Sequence, residues 1–90
     1  MNDIEFYRDK IDLVDREIVN LLTERFEIAR DIAELKKNID IDVFDKKREE
    51  EIFAKLKDWA KELNLDEDFL RKIFELIIKE SRKIQKDKLS

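Results

Sequence analysis

Two cations interrupt the apolar face of the longest helix that the sequence predicts. Arg25 stands where the next apolar residue of a heptad-like stripe belongs, and Lys36 follows eleven residues later. At about 100° per residue this spacing returns to nearly the same azimuth, roughly 16 Å further along the axis. A guanidinium on a buried seam requires an anionic partner. Because Ala29 leaves a hollow between these two long side chains, the pattern predicts either a paired acid or a negatively charged ligand.

The helix that carries these cations is predicted from Ile4 to Lys37, with Asp3 as its N-cap and Asn38 as its stop. Its apolar positions recur at alternating spacings of three and four. They are Ile4, Tyr7, Ile11, Val14, Ile18, Leu21, Ile28, Ile32 and Leu35. Such a helix would be roughly 50 Å long, whereas a compact chain of this length has a radius of gyration of about 12 Å. We therefore expect most of it to pack against a second chain.

Arg8 belongs to the same helix but is predicted to be remote from the other cations. It precedes Arg25 by seventeen residues, which is about 26 Å along the axis, and points to a different side. If two copies of the helix pair antiparallel about a two-fold axis near Val19, however, Arg8 of one chain reaches the interval between Arg25 and Lys36 of the other. Two equivalent pockets would result, each assembled from both chains of a homodimer.

Composition narrows the fold and the chemistry. The 90 residues include no Gly and no Pro, which favours an all-α chain in a single domain, residues 1–90. They also include no Cys and no His, which excludes disulfides, thiolate metal sites and the commonest general base. A net charge of -4 offers no general attraction to nucleic acid or anionic membranes. Without a signal-like or membrane-spanning run, a cytoplasmic protein is expected.

Two shorter helices are expected after an extended connector at residues 38–44. Asp45 caps the second helix, which ends near Leu63, and Asn64 suits a left-handed C-terminal position. Asp66 caps the third helix, which is expected to fray past Lys86. The sequence thus predicts three helices in the order long, short, medium. Four aromatic residues are assigned to the core: Phe53, Trp59, Phe69 and Phe74.

The remaining polar candidates lie along the edges of these two helices. Arg48 and Glu49 stand one turn before the apolar face of the second helix, and Ser81 and Gln85 enter the apolar seam of the third. Each also has an ordinary structural explanation. Nearly half of the chain is charged, so Arg8, Lys36 and Arg48 could simply solvate a surface. Arg25 could be a register-setting residue in a bundle, Asp45 only a cap, and the two seam residues ordinary interhelical hydrogen-bonding groups.

Taken together and in order, these elements resemble the all-helical (type II) chorismate mutases. The carrying segments are Tyr7-Arg8-Asp9-Lys10-Ile11-Asp12, Leu21-Leu22-Thr23-Glu24-Arg25 with Lys36 beyond it, Asp45-Lys46-Lys47-Arg48-Glu49, and Ile77-Ile78-Lys79-Glu80-Ser81 followed by Gln85. The resemblance spans about residues 4 to 86. It implies an intertwined homodimer that converts chorismate to prephenate in the biosynthesis of phenylalanine and tyrosine.

The resemblance also implies roles for the residues. The reaction is an intramolecular Claisen rearrangement that needs no cofactor and no metal. Arg25 and the partner's Arg8 would hold the two carboxylates of chorismate, while Lys36 and Gln85 would donate to its ether oxygen. Glu49 and the Asp45 backbone would take the ring hydroxyl, with Arg48 and Ser81 completing the lining.

Two alternatives accompany this interpretation. An isochorismate-pyruvate lyase resembles this fold and uses a similar cationic pocket, and assays with both substrates separate the two activities. A noncatalytic helical bundle that mediates association would bind no bicyclic transition-state analogue. The chain also departs from the family where Asp42, Val43 and Phe44 replace a segment that commonly includes a proline and an arginine. This departure bears on the rigidity of the connector.

Overall fold

The computed structural model describes residues 3–39 and 44–89, with the side chains of residues 38 and 39 outside the description. These residues form three α-helices: α1 (Asp3–Ile39), α2 (Lys46–Leu63) and α3 (Glu67–Leu89). The predicted all-α class and the order long, short, medium are confirmed. Of the predicted connector, residues 40–43, including Asp42 and Val43, lie outside the described residues.

The ends of the helices agree closely with the prediction where a side chain caps them. The Asp45 carboxylate accepts a hydrogen bond from the Arg48 amide at 2.9 Å, and Asp66 accepts one from the Phe69 amide at 3.0 Å. Asn64 has φ 55° and ψ 45°, the left-handed conformation that ends α2. Side-chain caps of this kind satisfy amides that have no partner within the helix.

The ends without such caps differ from the prediction. α1 begins at Asp3, which therefore lies in its first turn instead of at the N-cap, and it continues through Asn38 to Ile39. α3 does not fray past Lys86 but extends to Leu89. There the Lys88 ammonium lies 3.5 Å from the Glu34 carboxylate of α1. This ion pair joins the last turn of α3 to α1.

α3 lies between the other two helices and contacts both, whereas α1 and α2 do not approach each other closely within the described residues. The buried apolar residues lie at these two contacts: Ala29 and Ala33 on α1, Leu56 and Ala60 on α2, and Ile78 on α3. Small side chains allow two helix backbones to come close, so the alanines of α1 and Ala60 of α2 set short distances to α3. α1 and α2 thereby become two walls on either side of α3.

Two of the four aromatic residues assigned to the core are not buried in this chain. Trp59 is 48% exposed and Phe69 is 60% exposed, so the assignment was wrong for the single chain, while Phe53 and Phe74 are partly buried. Both exposed residues lie near the turn between α2 and α3. Near this turn, the apolar faces of α2 and α3 extend beyond the area in which the helices of one chain cover each other.

The N-terminal half of α1 extends away from the rest of the chain. Its apolar stripe from Ile4 to Leu21 is exposed, including Tyr7 at 60% and Ile11 at 57%. The chain measures 57 × 26 × 15 Å and has a radius of gyration of 16.6 Å, well above the roughly 12 Å of a compact chain of this length. Among the described residues, no helix combines the length and the apolar character needed to cross a membrane.

Candidate active site

The groove between the two walls forms a cavity of about 400 Å³, a size typical of small-molecule sites. Seven of the eight predicted site residues line this cavity. They are Arg25, Lys36, Asp45, Arg48, Glu49, Ser81 and Gln85; the other lining residues are Ile28, Ala29, Ile32, Ile52, Ile78 and Arg82. Residues that are up to 60 positions apart in the sequence are thus brought together by the two helix contacts.

Arg25 of α1 projects into this cavity next to α3. Its guanidinium donates a hydrogen bond to the Ser81 hydroxyl at 2.7 Å, and no carboxylate among the described residues pairs with it. Burial lowers the pKa of Arg25 from its ordinary value, and the nearby charge of Arg48 lowers it further. The site therefore disfavours the charged guanidinium until an anion enters, which is the property expected of a carboxylate-binding position.

Lys36 lies on the same wall, as the eleven-residue spacing predicts. It is partly buried and lines the same cavity as Arg25, with Ala29 and Ile32 between them. Ala29 is only 4% exposed, because α3 packs against it. The hollow with a cation at each end, predicted from the sequence, is present on α1.

The floor of the cavity is formed by α3, where Ser81 and Gln85 are separated by one helical turn. Both are buried, at 8% and 9% exposure. The Oε1 atom of Gln85 is buried and makes no hydrogen bond within the described residues. Because buried polar atoms in folded proteins nearly always have a partner, this oxygen is suited to accepting a hydrogen bond from a ligand, while the NH2 group of the same side chain can donate.

The α2 wall contributes Asp45, Arg48 and Glu49. Asp45 lies at the helix N-terminus, where its side chain is committed to the cap. Arg48 is exposed and lies 3.5 Å from the Glu51 carboxylate. Glu49 is mostly buried, and both of its carboxylate oxygens are paired with a single arginine of α3, Arg82.

Arg82 is a cavity residue that the sequence analysis did not identify. A signal was present, because Ile78, Arg82 and Gln85 follow one another at spacings of four and three on one face of α3. In a chain that is 49% charged, however, one more arginine is not conspicuous. Its significance depends on Glu49, which lies 33 residues away on another helix.

Arg8 is the one predicted site residue that lies outside the cavity. Its side chain is 67% exposed, and its guanidinium pairs with Glu5 of the preceding turn at 2.8 Å. This location agrees with the expectation that Arg8 cannot share a ligand with Arg25 in its own chain. Whether it serves the cavity of a partner stays a prediction.

The charges around the cavity favour an anionic ligand. Four cationic side chains line it, Arg25, Lys36, Arg48 and Arg82, against two acidic ones, Asp45 and Glu49. Four positive charges against two negative ones leave the lining with a formal charge of +2, so the positive charge dominates. Among the described residues, no three acidic side chains are grouped so as to hold a metal ion. The arrangement fits a small anionic molecule.

Comparisons with known proteins identify relatives over nearly the whole chain. A family model described as chorismate mutase type II matches residues 7–86. The chorismate mutase of Methanocaldococcus jannaschii is 38% identical over 82 residues, which cover 91% of this chain and 83% of that protein.

Other relatives are larger proteins. The bifunctional chorismate mutase/prephenate dehydratase of Buchnera aphidicola subsp. Schizaphis graminum is 35% identical over 89 residues, and the protein of the same description from Aquifex aeolicus is 38% identical over 56 residues. The aligned segments cover 99% and 62% of this chain but only 23% and 16% of those proteins. The chain thus spans less than a quarter of these bifunctional relatives.

Proposed function

The chain belongs to the type II chorismate mutase family, and we propose that it converts chorismate to prephenate in a cavity that two copies of the chain complete. The observation that carries this proposal is the convergence of Arg25, Lys36 and Gln85 on one cavity from two different helices. Three groups that bind anionic oxygen, set on rigid helices, match the needs of a dianionic substrate whose ether oxygen gains negative charge as its bond breaks.

The rearrangement requires the enolpyruvyl arm of chorismate to lie over the ring, a conformation that is rarely populated in solution. Arg25, whose charged form is stabilised once an anion binds beside it, would hold one carboxylate. The Arg8 side chain of the partner subunit would hold the other. Two fixed cations would convert a rare conformer of the substrate into the bound one, so the substrate is already ordered for reaction once it binds.

Lys36 and Gln85 would act on the reacting atoms. As the carbon-oxygen bond breaks, electron density moves to the ether oxygen, where the Lys36 ammonium and the Gln85 amide donate hydrogen bonds. These bonds strengthen as charge develops, so they lower the barrier instead of merely tightening binding of chorismate. The bonding electrons move within the substrate, and no proton is transferred to or from the protein.

The other lining residues would orient the ring. Glu49, held in place on α2, would accept the one hydrogen bond that the ring hydroxyl can donate, and the Asp45 backbone would be a second contact of that hydroxyl. Ser81 holds the Arg25 guanidinium at 2.7 Å and so fixes the direction in which that cation points. Arg48 would add to the positive potential that attracts the substrate.

A homodimer is part of the proposal, because a single chain leaves the site and α1 incomplete. The exposed stripe of α1 from Ile4 to Leu21 is apolar, and Arg8 lies on that half of the helix, outside its own cavity. Antiparallel pairing about an axis near Val19 would cover the stripe and bring Arg8 to the partner's cavity. Sedimentation should show a dimer at working concentrations. A folded monomer with full activity would contradict this part of the proposal.

We further propose that residues 1–90 act as one domain and that the reaction takes place in the cytoplasm, which suits a diffusible substrate. Neither point affects the chemistry. Both can be checked by expressing the 90-residue chain alone and by locating a tagged copy in cell fractions.

The decisive experiment measures conversion and binding together. The purified chain should consume chorismate with formation of prephenate, and it should bind a bicyclic transition-state analogue saturably. Lys36→Ala should lower kcat/KM by about a hundredfold to a thousandfold, as loss of a donor to a developing oxyanion does. Conversion of isochorismate to salicylate and pyruvate instead would make the chain a lyase, and absence of saturable analogue binding would leave only a helical association module.

A further inference from the structure

The ion pair between Arg82 and Glu49 joins two helices at the edge of the cavity. The Arg82 Nε atom donates to Glu49 Oε2 at 2.7 Å, and its Nη2 atom pairs with Glu49 Oε1. The Phe44 ring covers the same guanidinium, 4.5 Å from ring centroid to the guanidinium carbon. Arg82 therefore connects α3, α2 and the residue that precedes the α2 cap.

This arrangement fixes the plane of the Glu49 carboxylate. A two-pronged arginine contact sets direction as well as distance, since two parallel hydrogen bonds leave little freedom of rotation. A carboxylate offers about four acceptor positions, and the fork occupies one on each oxygen. The others remain to accept hydrogen bonds, and Glu49 itself lines the cavity with a side chain that is only 18% exposed.

We propose that Arg82 is a positioning residue that holds Glu49 as the acceptor for the ring hydroxyl of the substrate and so sets the preference for substrates that carry this hydroxyl. The inference rests on the proposed function, because it takes chorismate as the ligand and Glu49 as its contact. It assigns Arg82 no contact with the substrate. Arg82 acts indirectly, because it orients the Glu49 carboxylate on the neighbouring helix.

The kinetic signature follows from the chemistry of the hydroxyl. That group keeps its charge throughout the rearrangement, so its hydrogen bond stabilises the ground state and the transition state equally. Loss of the correct Glu49 orientation should therefore raise KM and leave kcat nearly unchanged. A role in folding alone would affect all substrates to the same extent, whatever groups their rings carry.

The experiment compares two substrates on four proteins. The substrates are chorismate and an analogue with hydrogen in place of the ring hydroxyl, and the proteins are wild type, Arg82→Met, Arg82→Lys and Arg71→Met. Arg71 is a matched control, because its guanidinium also stacks on an aromatic ring of α2, 4.8 Å from the Phe53 centroid, but does not line the cavity. Thermal unfolding of each variant is recorded alongside.

For chorismate, Arg82→Met should raise KM about tenfold, the scale of one charge-assisted hydrogen bond, with kcat within about twofold of wild type. For the analogue without the hydroxyl, both constants should stay within about twofold of wild type, since the misplaced group has no partner there. Arg82→Lys keeps the charge but loses the fork, so its KM should lie between the two. Arg71→Met should behave as wild type.

An equal loss with both substrates would overturn the inference and leave Arg82 as a structural ion pair. A wild-type protein that converts neither substrate would instead refute the proposed function. If Arg82→Met does not fold, the comparison rests on Arg82→Lys, for which a wild-type KM for chorismate would equally contradict the proposal.

Discussion

At the scale of single residues, the amide at position 85 would make the proposed hydrogen bond to the ether oxygen independent of pH. Gln85 is buried on the floor of the cavity, and an amide N–H donates at any ordinary pH. A carboxyl group at this position would donate only while protonated. Gln85 should accordingly cause no decrease in the wild-type rate as the pH rises through neutrality.

Gln85→Glu should convert this pH-independent donor into a titrating one. Its activity should be highest at acidic pH and fall as the new carboxyl group ionises and loses the proton that it would donate. The measurement is kcat/KM against pH for wild type, Gln85→Glu and the non-titrating Gln85→Met, which should be weak at every pH. A Gln85→Glu profile parallel to that of wild type would remove residue 85 from the reaction.

Arg25 illustrates a conflict between stability and function. The lowered pKa of Arg25 means that the folded chain disfavours its protonated form. Burial of the charged guanidinium therefore lowers the free energy of unfolding at every pH below that lowered pKa, including neutral pH. This destabilisation disappears only as the group deprotonates at higher pH. An anionic ligand removes the same cost, so substrate should raise the melting temperature of the wild-type protein.

Arg25→Met should therefore be inactive but not destabilised. We expect kcat/KM to fall by at least about a hundredfold, while the free energy of unfolding stays level or rises by up to about 1 kcal/mol. Denaturant unfolding and chorismate turnover are measured on the same samples, with exposed Arg30→Met as the control that changes neither. A loss of stability well beyond 1 kcal/mol would indicate that Arg25 is chiefly a structural residue.

The sequence could predict Arg25 but not Arg82, and the reason is physical. Arg25 interrupts an apolar stripe, so the local pattern alone indicates that it needs a partner. Arg82 gains its position from Glu49 on another helix, and only the packing of α2 against α3 brings the two together. The spacing of Arg82 from Ile78 and Gln85 places it on their face of α3, but this periodicity does not show that Glu49 is its partner.

At the scale of the helices, the N-cap residue of α2 both caps the helix and lines the cavity. Asp45 and Asp66 each accept one amide hydrogen bond at the start of a helix, at 2.9 and 3.0 Å, but only Asp45 lines the cavity. The two caps therefore form a natural comparison.

Asp45→Ala and Asp66→Ala should each cost about 1 kcal/mol of folding free energy, the usual value for loss of an N-cap. Only Asp45→Ala should also lower kcat/KM, through a higher KM at nearly unchanged kcat, because the backbone of the first turn of α2 would lose its fixed position beside the ring hydroxyl. Asp45→Asn, which keeps the capping oxygen, should restore stability and most activity. The measurements are denaturant unfolding curves and kcat/KM for chorismate. Equal effects of the two alanine variants on kcat/KM would exclude a local role for this cap.

The helix ends could be predicted from the sequence where a capping or turn-forming side chain occurs, and not elsewhere. Asp45, Asn64 and Asp66 have side chains that cap or end a helix, and the structure places all three as predicted. The end of α3 has no such marker. α3 nonetheless continues to Leu89, and Lys88 in this segment lies 3.5 Å from Glu34 of α1, a contact that the local sequence does not indicate.

At the scale of the whole molecule, an apolar pattern states that a face must be covered but not which chain covers it. The apolar stripe of α1 from Ile4 to Leu21 is exposed in one chain, which agrees with the expectation that a second chain packs on it. Trp59 and Phe69 were assigned to the core from the same kind of pattern and are exposed. Burial between chains and burial within one chain give identical periodicity.

The proposed dimer makes a specific statement about which residues share a cavity. Arg25 and Lys36 of one chain would act together with Arg8 of the other, so each cavity draws on both chains. In a heterodimer of Arg8→Ala and Lys36→Ala chains, one cavity carries both substitutions, while the other combines an intact Arg8 with an intact Lys36. In a heterodimer of Arg25→Ala and Lys36→Ala chains, each cavity carries one substitution and neither is intact.

Mixing dead variants should therefore restore activity for the first pair only. Arg8→Ala and Lys36→Ala, unfolded together and refolded, should recover roughly a quarter of wild-type turnover, since random pairing makes about half of the dimers heterodimers with one sound cavity each. Arg25→Ala mixed with Lys36→Ala should stay inactive under the same treatment, which controls for refolding and contamination. A first mixture no more active than its separate components would show that Arg8 does not serve the partner's cavity, and the crossed arrangement of the long helices would then be wrong even for an active enzyme.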